Sequence, residues 1–363
     1  MRVLVVIPPI AKTVYGGAAI QARCTADAMQ KLGAHVEVAT TDKPNARGFD
    51  IAHIFGISDA HVLSLQIKSC HEVATPVAVS PIWCSWREVS ARALRAVDVL
   101  RRQRSESRAE EELAELRRRS VRRLLSRRDL REFDVTEAAQ GKLLQAVQLL
   151  LPVSAAEARD YRARLGARAV PFAIVPNGIR YDLVPPWQSR RSGVVCAARI
   201  EPGKNQHMLA FALRNLDVEL TFAGDVGDEK FFAVVEKWAG PKTQFVGRLE
   251  PSALLQLFAR SAVHAMPSWA DVASLAHLEA AACGARVVVG DRGFEWEYLE
   301  GDAEYADPGD PTSIRNAVVR ALGKGRRVPG DALDERLREL TWRRAAEQTL
   351  RAYRLAIGKV RAA

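Results

Sequence analysis

Apolar residues fall into two alternating patterns along most of this chain, short continuous runs and repeats at helical spacing. The first run, Arg2 to Ile7, predicts a buried strand, and three further runs predict strands over 35–40, 50–56 and 76–82. A second series of strands and helices begins near residue 193 and continues to about residue 322. Strands that alternate with helices in this way predict parallel, doubly wound sheets of the α/β class.

Residues 87–150 interrupt that alternation with a long stretch that is rich in Arg and Glu and has strong helix propensity. Leucines and valines recur in it every three or four residues, which predicts amphipathic helices. Two interpretations stay open: the helices pack on the sheet with a solvated outer face, or their basic face lies on an anionic membrane. Nucleic acid is a weaker third candidate, because no aromatic residue occurs before Phe133 and stacking platforms are therefore lacking.

The segment 177–192 contains two adjacent prolines, shows little periodicity and predicts a linker between two domains. We therefore expect a first domain over residues 1–180, which includes the helical insert at about 87–150. A second domain is expected over residues 181–341, followed by a terminal helix over 342–363. The length of 363 residues agrees with two domains of about 150 residues each.

Composition excludes several classes of protein. Hydrophobic residues make up 48% of the chain, which is typical of globular proteins, and no apolar run approaches the ~20 residues of a membrane span. The five cysteines form no Cys-x-x-Cys pair, and the seven histidines show no metal-ligand spacing. The first residues form a predicted strand and lack the architecture of a signal peptide. These features predict a cytoplasmic protein with reduced thiols.

Positive charge is concentrated in one part of the chain. The formal net charge is +10, and the segment from Arg87 to Arg131 holds fifteen arginines against eight acidic residues. A surface of this kind favours anionic partners. Under the second interpretation of residues 87–150, this surface lies against the inner face of an anionic membrane as a peripheral contact; no nucleic acid is expected as a partner.

Candidate ligand chemistry is densest between residues 266 and 289. A strand ends near Ser268, a loop carries Asp271, and a helix that begins near Ser274 carries Glu279. The carboxyl edge of an open parallel sheet is where ligands bind, and the free amides at Ser274 and Leu275 favour a phosphate there. The stretch therefore predicts a site for a phosphorylated, hydroxyl-rich ligand whose hydroxyls donate to the carboxylates.

Two cations follow the strand predicted at 193–198. Arg199 and Lys204 lie at the turn into the next helix, where their fixed positive charge can neutralise a phosphorylated ligand. Because no Asp-x-Asp metal signature occurs, we expect chemistry that needs no metal ion.

Glycines at other strand ends are candidates for close approach to a ligand. Gly16 and Gly17 lie in the loop 11–19 after the first strand, although a plain tight turn explains them equally well. Gly247 closes the strand predicted at 244–247 and is a further candidate. His53 lies in the third strand, where it either faces the ligand or is a satisfied core histidine.

Several of these motifs, taken in order, resemble one known family. The segments concerned are Val175-Pro176-Asn177-Gly178-Ile179, Arg199-Ile200-Glu201-Pro202-Gly203-Lys204-Asn205, Pro267-Ser268 with Asp271 and Glu279, Glu297-Tyr298, and Tyr305-Ala306-Asp307-Pro308. Together with the two α/β domains they resemble a GT-B glycosyltransferase, and more narrowly the retaining glycosyltransferase family 4 (group 1). The pair Asp271 and Glu279 matches the Glu-x7-Glu motif of that family, with the first glutamate shortened to aspartate.

The resemblance implies a fold and an activity. It implies two Rossmann-like domains that face a central cleft, the first for the acceptor and the second for a nucleotide-sugar donor. It implies a retaining, metal-independent transferase whose donor is a substrate and which needs no cofactor, with a glycan or lipid-linked acceptor. Glu279 is then expected to hold the ribose and Asp271 a hydroxyl of the sugar, while Arg199, Lys204 and the Leu275 amide face the diphosphate.

Two departures from the family pattern keep other functions open. Asp271 is one methylene shorter than the glutamate it replaces, and Ser80-Pro81-Ile82-Trp83 stands where many relatives have a histidine. A non-catalytic glycosyltransferase-like subunit is the main alternative. Slow hydrolysis of a nucleotide sugar by the purified protein would favour the enzyme, and tight binding without turnover would favour the non-catalytic subunit. The base, the sugar and the acceptor are not specified by the sequence.

Overall fold

The structure, a computed structural model, describes residues 1–12 and 16–362. It divides into two compact units, which we call unit 1 (residues 1–84, 131–178 and 339–363) and unit 2 (residues 85–130 and 179–338). Three residues of the predicted glycine loop at 11–19, Thr13, Val14 and Tyr15, lie outside the described residues.

The described strands and helices follow the predicted alternation. The strands are β1 Arg2–Ile7, β2 His35–Thr40, β3 Ile51–Phe55, β4 Val77–Ser80, β5 Leu149–Leu150, β6 Ser192–Ala197, β7 Leu220–Ala223, β8 Thr243–Phe245, β9 Ser261–Met266, β10 Arg286–Gly290 and β11 Glu304–Ala306. The helices are α1 Gly17–Lys31, α2 Ala60–His71, α3 Leu94–Arg102, α4 Glu106–Arg118, α5 Val121–Leu124, α6 Arg127–Gln145, α7 Ala155–Arg164, α8 Gln206–Leu213, α9 Glu229–Trp238, α10 Pro251–Arg260, α11 Leu275–Ala282, α12 Trp296–Leu299, α13 Pro311–Gly323, α14 Ala332–Arg338 and α15 Trp342–Ala362. A π-helical turn, Val89–Ala93, precedes α3, and a 3-10 turn, Pro202–Lys204, precedes α8.

Unit 1 is built on a parallel sheet in the order β2-β1-β3-β4-β5. Successive residues of β1 point to opposite faces of this sheet. Val3, Val5 and Ile7 join one apolar cluster with α1 and α15. Leu4 and Val6 join another with α2 and α7. Helices therefore cover both faces, which explains why the strands read as continuous apolar runs.

Unit 2 is built on a parallel sheet in the order β11-β10-β9-β6-β7-β8. From β6 the chain adds β7 and β8 on one side and then returns to add β9, β10 and β11 on the other. The direction of winding thus reverses between β6 and β9, and a crevice outside their carboxyl ends is the usual ligand position in such sheets. The predicted fold class, two Rossmann-like α/β domains, is confirmed.

The Arg-rich segment differs from the prediction, which placed residues 87–150 in the first domain. Residues 85–130 belong to unit 2, and the chain returns to unit 1 at residue 131, within α6. Packing explains the difference, because Val97, Leu100 and Leu113 share one core cluster with Phe211 and Trp238. The Trp238 indole N–H also donates to the Leu100 carbonyl at 2.8 Å.

The connection into unit 2 is packed and is not an open linker. The predicted linker spanned 177–192, but Trp187 within it donates to the Ala282 carbonyl at 2.8 Å. Beyond residue 338 the chain belongs to unit 1 again, where Ala346 and Tyr353 of α15 share a core cluster with α1. Among the described residues, no helix is both long and apolar enough to cross a membrane.

Smaller differences concern the limits of elements. The strands predicted over 50–56 and 76–82 are shortened to Ile51–Phe55 and Val77–Ser80, and α14 was not predicted. By contrast, β1 and β2 begin and end where the hydrophobic pattern places them.

Candidate functional site

The centre of the candidate site is an ion pair at the switch point of unit 2. Lys204 follows β6 and Asp271 follows β9, so the adjacent carboxyl ends of these strands bring the two side chains together. Lys204 Nζ donates to Asp271 Oδ2 at 2.8 Å, and both side chains are partly exposed, at 25% and 12%. Ser268 Oγ approaches the same carboxylate oxygen at 3.4 Å. The structure therefore unites the predicted catalytic cation and carboxylate, which are 67 residues apart in the chain.

A buried amide holds the two loops that carry this pair. Asn205 has a left-handed backbone conformation, with φ of 65°, which asparagine tolerates better than most residues. Its Nδ2 donates to the carbonyls of Pro267 and Pro308, each at 2.9 Å. Its Oδ1 accepts from the Trp269 indole at 2.9 Å. One side chain thus fixes the turn after β6 against the loops after β9 and β11.

The N-terminus of α11 faces the same loop. Ser274 is the residue before the helix, and its side chain makes no capping hydrogen bond. Leu275 begins the helix, so its amide is among the first four N–H groups, which lack an acceptor within the helix. The Leu275 amide and the positive end of the helix dipole favour an anion here, as the sequence predicted. The Ser274 amide, which the sequence also assigned to the phosphate, instead donates to a carboxylate of the protein, that of Glu295.

Sequence reasoning missed the neighbour of this helix end, Glu295. Its side chain is buried, at 3% exposure, and the Ser274 amide donates to its carboxylate. Burial, and next the charge of Asp271, raise the pKa of Glu295 to about 8, although Lys204 acts in the opposite direction. An isolated glutamate between Phe294 and Trp296 gives no sequence signal of such a position.

Glu279 lies one turn into α11 and is paired with a second residue that the sequence missed, Arg180. The Arg180 Nε and Nη2 donate to Glu279 Oε1 at 3.0 and 2.7 Å. Burial raises the pKa of Glu279, while the charge of Arg180 and its hydrogen bond lower it. Arg180 directly follows the Asn177-Gly178-Ile179 motif. This position was the sequence feature that could have identified it as a site residue, but the segment was interpreted as a linker.

Arg199 lies apart from the ion pair in the described contacts. Its Nη1 is 3.6 Å from Glu201 Oε2, and 37% of its side chain is exposed. The guanidinium lies against Gly227, where a Cβ would come within 2.5 Å of Nε. The arginine is therefore positioned by the backbone of the loop after β7, with its charge open to solvent.

The candidate glycines occupy different places. Gly247 follows β8, has φ of 66°, and its carbonyl accepts from the Gly224 amide at 2.8 Å. Gly16 precedes α1 in unit 1 and Gly17 begins it, with no side-chain cap on that helix. Among the described residues, and leaving aside chain neighbours and the backbone of the same helix, no atom lies within 4 Å of a Cβ built on Gly16, Gly17 or Gly247, so space beside each is open.

His53 is a satisfied core histidine. Its Nε2 lies 2.9 Å from Ser80 Oγ and its Nδ1 2.6 Å from Tyr353 Oη. Burial lowers the pKa of His53 to about 3, so the ring is neutral at pH 7. A neutral imidazole accepts at one nitrogen and donates at the other, which matches these two partners.

The Arg-rich segment contributes to the surroundings of the site. The Trp86 indole lies 3.4 Å from a Cβ built on Gly203, and about half of this side chain is exposed. Arg292 Nε donates to Glu88 at 2.9 Å. Val89 of the π-helical turn shares a small apolar cluster with Trp269. The segment therefore supports the loops around Lys204 and Asp271 by direct contact.

The arrangement suits an anionic, polyhydroxylated ligand. Lys204 and Arg199 supply positive charge, and α11 supplies oriented amides. Asp271 and Glu279 supply acceptors for hydroxyl groups. Within residues 1–12 and 16–362, no three His, Cys, Asp or Glu side chains converge as a metal-binding group would require.

Comparison with known proteins identifies the domain that carries this site. Residues 191–324 match the family model described as "Glycosyl transferases group 1". The match lies wholly within unit 2 and includes Arg199, Lys204, Asp271, Glu279 and Glu295. No curated protein sequence matches the chain at a significant level.

Solved structures show the fold across nearly the whole chain. Sucrose-phosphate synthase from Thermosynechococcus elongatus is 16% identical with a TM-score of 0.74, covering 99% of this chain and 100% of that one. Anabaena HepE, crystallised with UDP, is 15% identical with a TM-score of 0.59, covering 100% and 99%. Trehalose-phosphate synthase from Burkholderia xenovorans, crystallised with glucose-6-phosphate, is 13% identical with a TM-score of 0.57, covering 92% and 78%.

The motif order and the domain match agree, and the fold agrees with both. The chain is a glycosyltransferase of the GT-B fold, with its group 1 glycosyl transferase domain in unit 2.

Proposed function

We propose that this enzyme transfers a sugar from a nucleoside-diphosphate sugar to a glycan or lipid-linked acceptor, with retention of anomeric configuration and without a metal ion. One observation carries the proposal: the Lys204–Asp271 pair lies beside the uncapped N-terminus of α11 at the switch point of unit 2.

The ion pair explains how donor binding and leaving-group stabilisation are combined. A lysine ammonium has three N–H donors, so Lys204 can bind Asp271 and a phosphate oxygen at once. Charge that develops on the departing diphosphate then meets a fixed cation and the amides of α11, a role that a metal ion plays elsewhere. Arg199 adds a second positive charge at the carboxyl end of β6.

The two carboxylates have separate tasks. Glu279 is fixed by Arg180 and accepts hydrogen bonds from the ribose. Asp271 accepts from a hydroxyl of the transferred sugar, and its shorter side chain selects a sugar whose hydroxyl comes close to the loop. In the transfer step, the bond from C1 to the phosphate oxygen breaks, and the electron pair leaves with the phosphate. The acceptor oxygen bonds C1 on the same face, and its proton passes to that phosphate.

The membrane half of the proposal rests on α5 and the start of α6. Arg122, Arg123, Arg127 and Arg128 are all exposed there within seven residues. Each Arg near an anionic surface contributes about 1 kcal/mol of attraction. An acceptor carried on a lipid would thus be met at the inner face of the membrane.

A nucleotide panel tests the donor site. Thermal unfolding of the protein with UDP, GDP, ADP and the corresponding monophosphates should show one diphosphate that raises Tm more than its monophosphate. At 100 times its dissociation constant that ligand adds about 2.7 kcal/mol of stability. The sugars of that base are then assayed with and without EDTA, and NMR of the product gives the anomeric configuration. Binding without any turnover would favour the non-catalytic subunit, and no binding would remove the donor site.

Vesicle binding tests the membrane half separately. The double variant Arg122→Gln/Arg123→Gln loses two such charges, about 2 kcal/mol of attraction, and should bind phosphatidylserine vesicles about thirtyfold more weakly than the wild type. Arg23→Gln/Arg190→Gln removes the same charge from exposed positions elsewhere and serves as the control. Equal binding by the two double variants would contradict a membrane role for α5.

A further inference from the structure

A buried carboxylate at the donor site remains without a function after the known motifs are assigned. Glu295 lies outside every family motif quoted above, and its Oε1 is buried without a hydrogen-bond partner among the described residues. Native proteins rarely leave a buried polar atom unpartnered, and the exceptions often have a functional reason.

Geometry ties Glu295 to the loop that carries Asp271. The Ser274 amide at the end of this loop donates to the Glu295 carboxylate. A Cβ at Gly293 would come within 2.0 Å of Glu295 Oε2 and 3.0 Å of the Asp271 carbonyl oxygen. The carboxyl group and the loop backbone therefore meet at a glycine that leaves room for both.

We propose that Glu295 is a positioning residue for sugar transfer, which holds the Asp271–Ser274 loop against Gly293 and so sets the place of Asp271 beside Lys204. The inference rests on the proposed function for its catalytic consequence, but the contact itself is tested without a ligand.

The charge on Glu295 has a direct consequence for the donor. The groups that face it are Asp271 after β9, Lys204 after β6, the Ser274 amide at α11 and Tyr305 on β11. With a pKa of about 8, Glu295 is mostly protonated at pH 7, so a diphosphate meets one negative charge there, that of Asp271. Above pH 8 it meets two, and donor binding weakens.

Hydrogen exchange of the ligand-free protein tests the positioning role. At pH 7, Glu295→Ala should raise exchange of amides in the 271–275 segment about tenfold, because the Ser274 amide loses its acceptor. Glu295→Gln keeps an acceptor oxygen and should stay within about threefold of the wild type. Glu300→Gln removes a nearby exposed carboxylate as the control. Wild-type protection of this segment in Glu295→Ala would overturn the proposal.

The pH dependence of Tm tests the protonation state without a ligand. A carboxyl whose pKa is raised in the folded state loses its contribution to stability as the pH rises from about 4.5 through 8. The Tm of Glu295→Gln, measured relative to the wild type, should therefore rise from pH 5 to pH 8 and then level off. A difference in Tm between the two proteins that stays constant from pH 5 to pH 8 would show that Glu295 is ionised throughout. That result would contradict the claim that Glu295 is mostly protonated at pH 7.

Kinetics link the contact to the reaction. For the wild type, kcat/KM for the donor should fall as the pH rises through about 8, and Glu295→Gln should lack this fall. Glu295→Ala should raise the donor KM about tenfold at pH 7 with a smaller effect on kcat. An unchanged alkaline limb in Glu295→Gln would overturn the catalytic consequence. If the protein binds and turns over no nucleotide sugar, the proposed function is wrong. The hydrogen-exchange result would still test the contact between Glu295 and the 271–275 segment.

Discussion

Each unit buries a glutamate, Glu157 in unit 1 and Glu295 in unit 2, and the two differ in how their oxygens are used. Glu157 Oε1 accepts from the Trp83 amide at 3.0 Å and Oε2 from the Val153 amide at 2.7 Å. In the part of the chain that the structure describes, Glu295 Oε1 has no hydrogen-bond partner. Burial raises the pKa of Glu157 to about 7 and, with Asp271, that of Glu295 to about 8.

The comparison teaches that a raised pKa alone does not mark a functional carboxyl group. Glu157 is a structural residue, because it ties a turn to α7 with both oxygens. Ile82 in that turn has φ of 47°, a strained value for a β-branched residue, and the carboxylate helps to hold it. Glu295 lies instead at the N-terminus of α11 beside the Asp271 loop, where a ligand is expected. Four changes, from the largest expected effect to the smallest, test whether unit 2 serves catalysis and unit 1 stability in this way.

Lys204→Ala should have the largest effect. Removing the cation that faces the leaving group should lower kcat/KM about 10³-fold, or roughly 4 kcal/mol, with a small change in Tm. Lys242→Ala is the matched control, since Lys242 pairs with exposed Asp217 in the same unit and should keep full activity. A steady-state assay with the donor from the nucleotide panel measures both. Equal activity in the two variants would remove Lys204 from the site.

Glu157→Ala should lower the free energy of unfolding by about 3 kcal/mol, because the Trp83 and Val153 amides lose their acceptor. Urea denaturation measures the loss. The pH dependence should also change: the raised pKa of Glu157 costs stability as the pH rises from about 4.5 through 7, and the variant lacks this slope. A loss below 1 kcal/mol would show that the buried carboxylate is not a structural anchor.

Arg180→Ala should weaken binding of the donor nucleotide about tenfold, or ~1.4 kcal/mol, because Glu279 loses the partner that orients it. Since Glu279 is then left buried without its cation, its pKa should rise, and the deficit should be smaller at pH 8 than at pH 6. Calorimetry at these two pH values checks the sign. A nucleotide affinity equal to that of the wild type would assign Arg180 a purely structural role.

Tyr353→Phe should have the smallest effect, a loss of about 1 kcal/mol in the free energy of unfolding with unchanged kcat. It removes one buried hydrogen bond to His53 and little volume. A marked fall in kcat with normal stability would show that His53 takes part in the reaction.

The hydrophobic pattern predicted the fold because the central strands of the first sheet, such as β1, β3 and β4, are buried on both faces by helices. That environment produces continuous apolar runs, such as Val3 to Ile7, which local reading detects. The pattern could not assign the Arg-rich helices to a unit. Their apolar stripe is the same whether Leu100 packs on one sheet or on the other, and only the tertiary contacts decide.

The site was predicted in part for a similar reason. Lys204, Asp271 and Glu279 lie at strand ends and a helix start, where local sequence indicates a ligand edge. Arg180 and Glu295 act through contacts that span long separations or depend on burial, and a single sequence does not encode burial at one position. His53 shows the converse, since its type suggested chemistry and its surroundings removed it.

Both units are assembled from separated pieces of chain, and this affects folding during synthesis. The residues 85–130 leave the ribosome early, yet their apolar stripe has no partner until α8 and α9 follow some eighty residues later. Unit 1 in turn waits for α15, which supplies Tyr353 to its core. Neither unit can close while the chain is still short of residue 338, so the nascent protein exposes apolar helices for most of its translation. We expect truncated forms to require chaperones and isolated unit 2 to fold only when residues 85–130 are supplied with it.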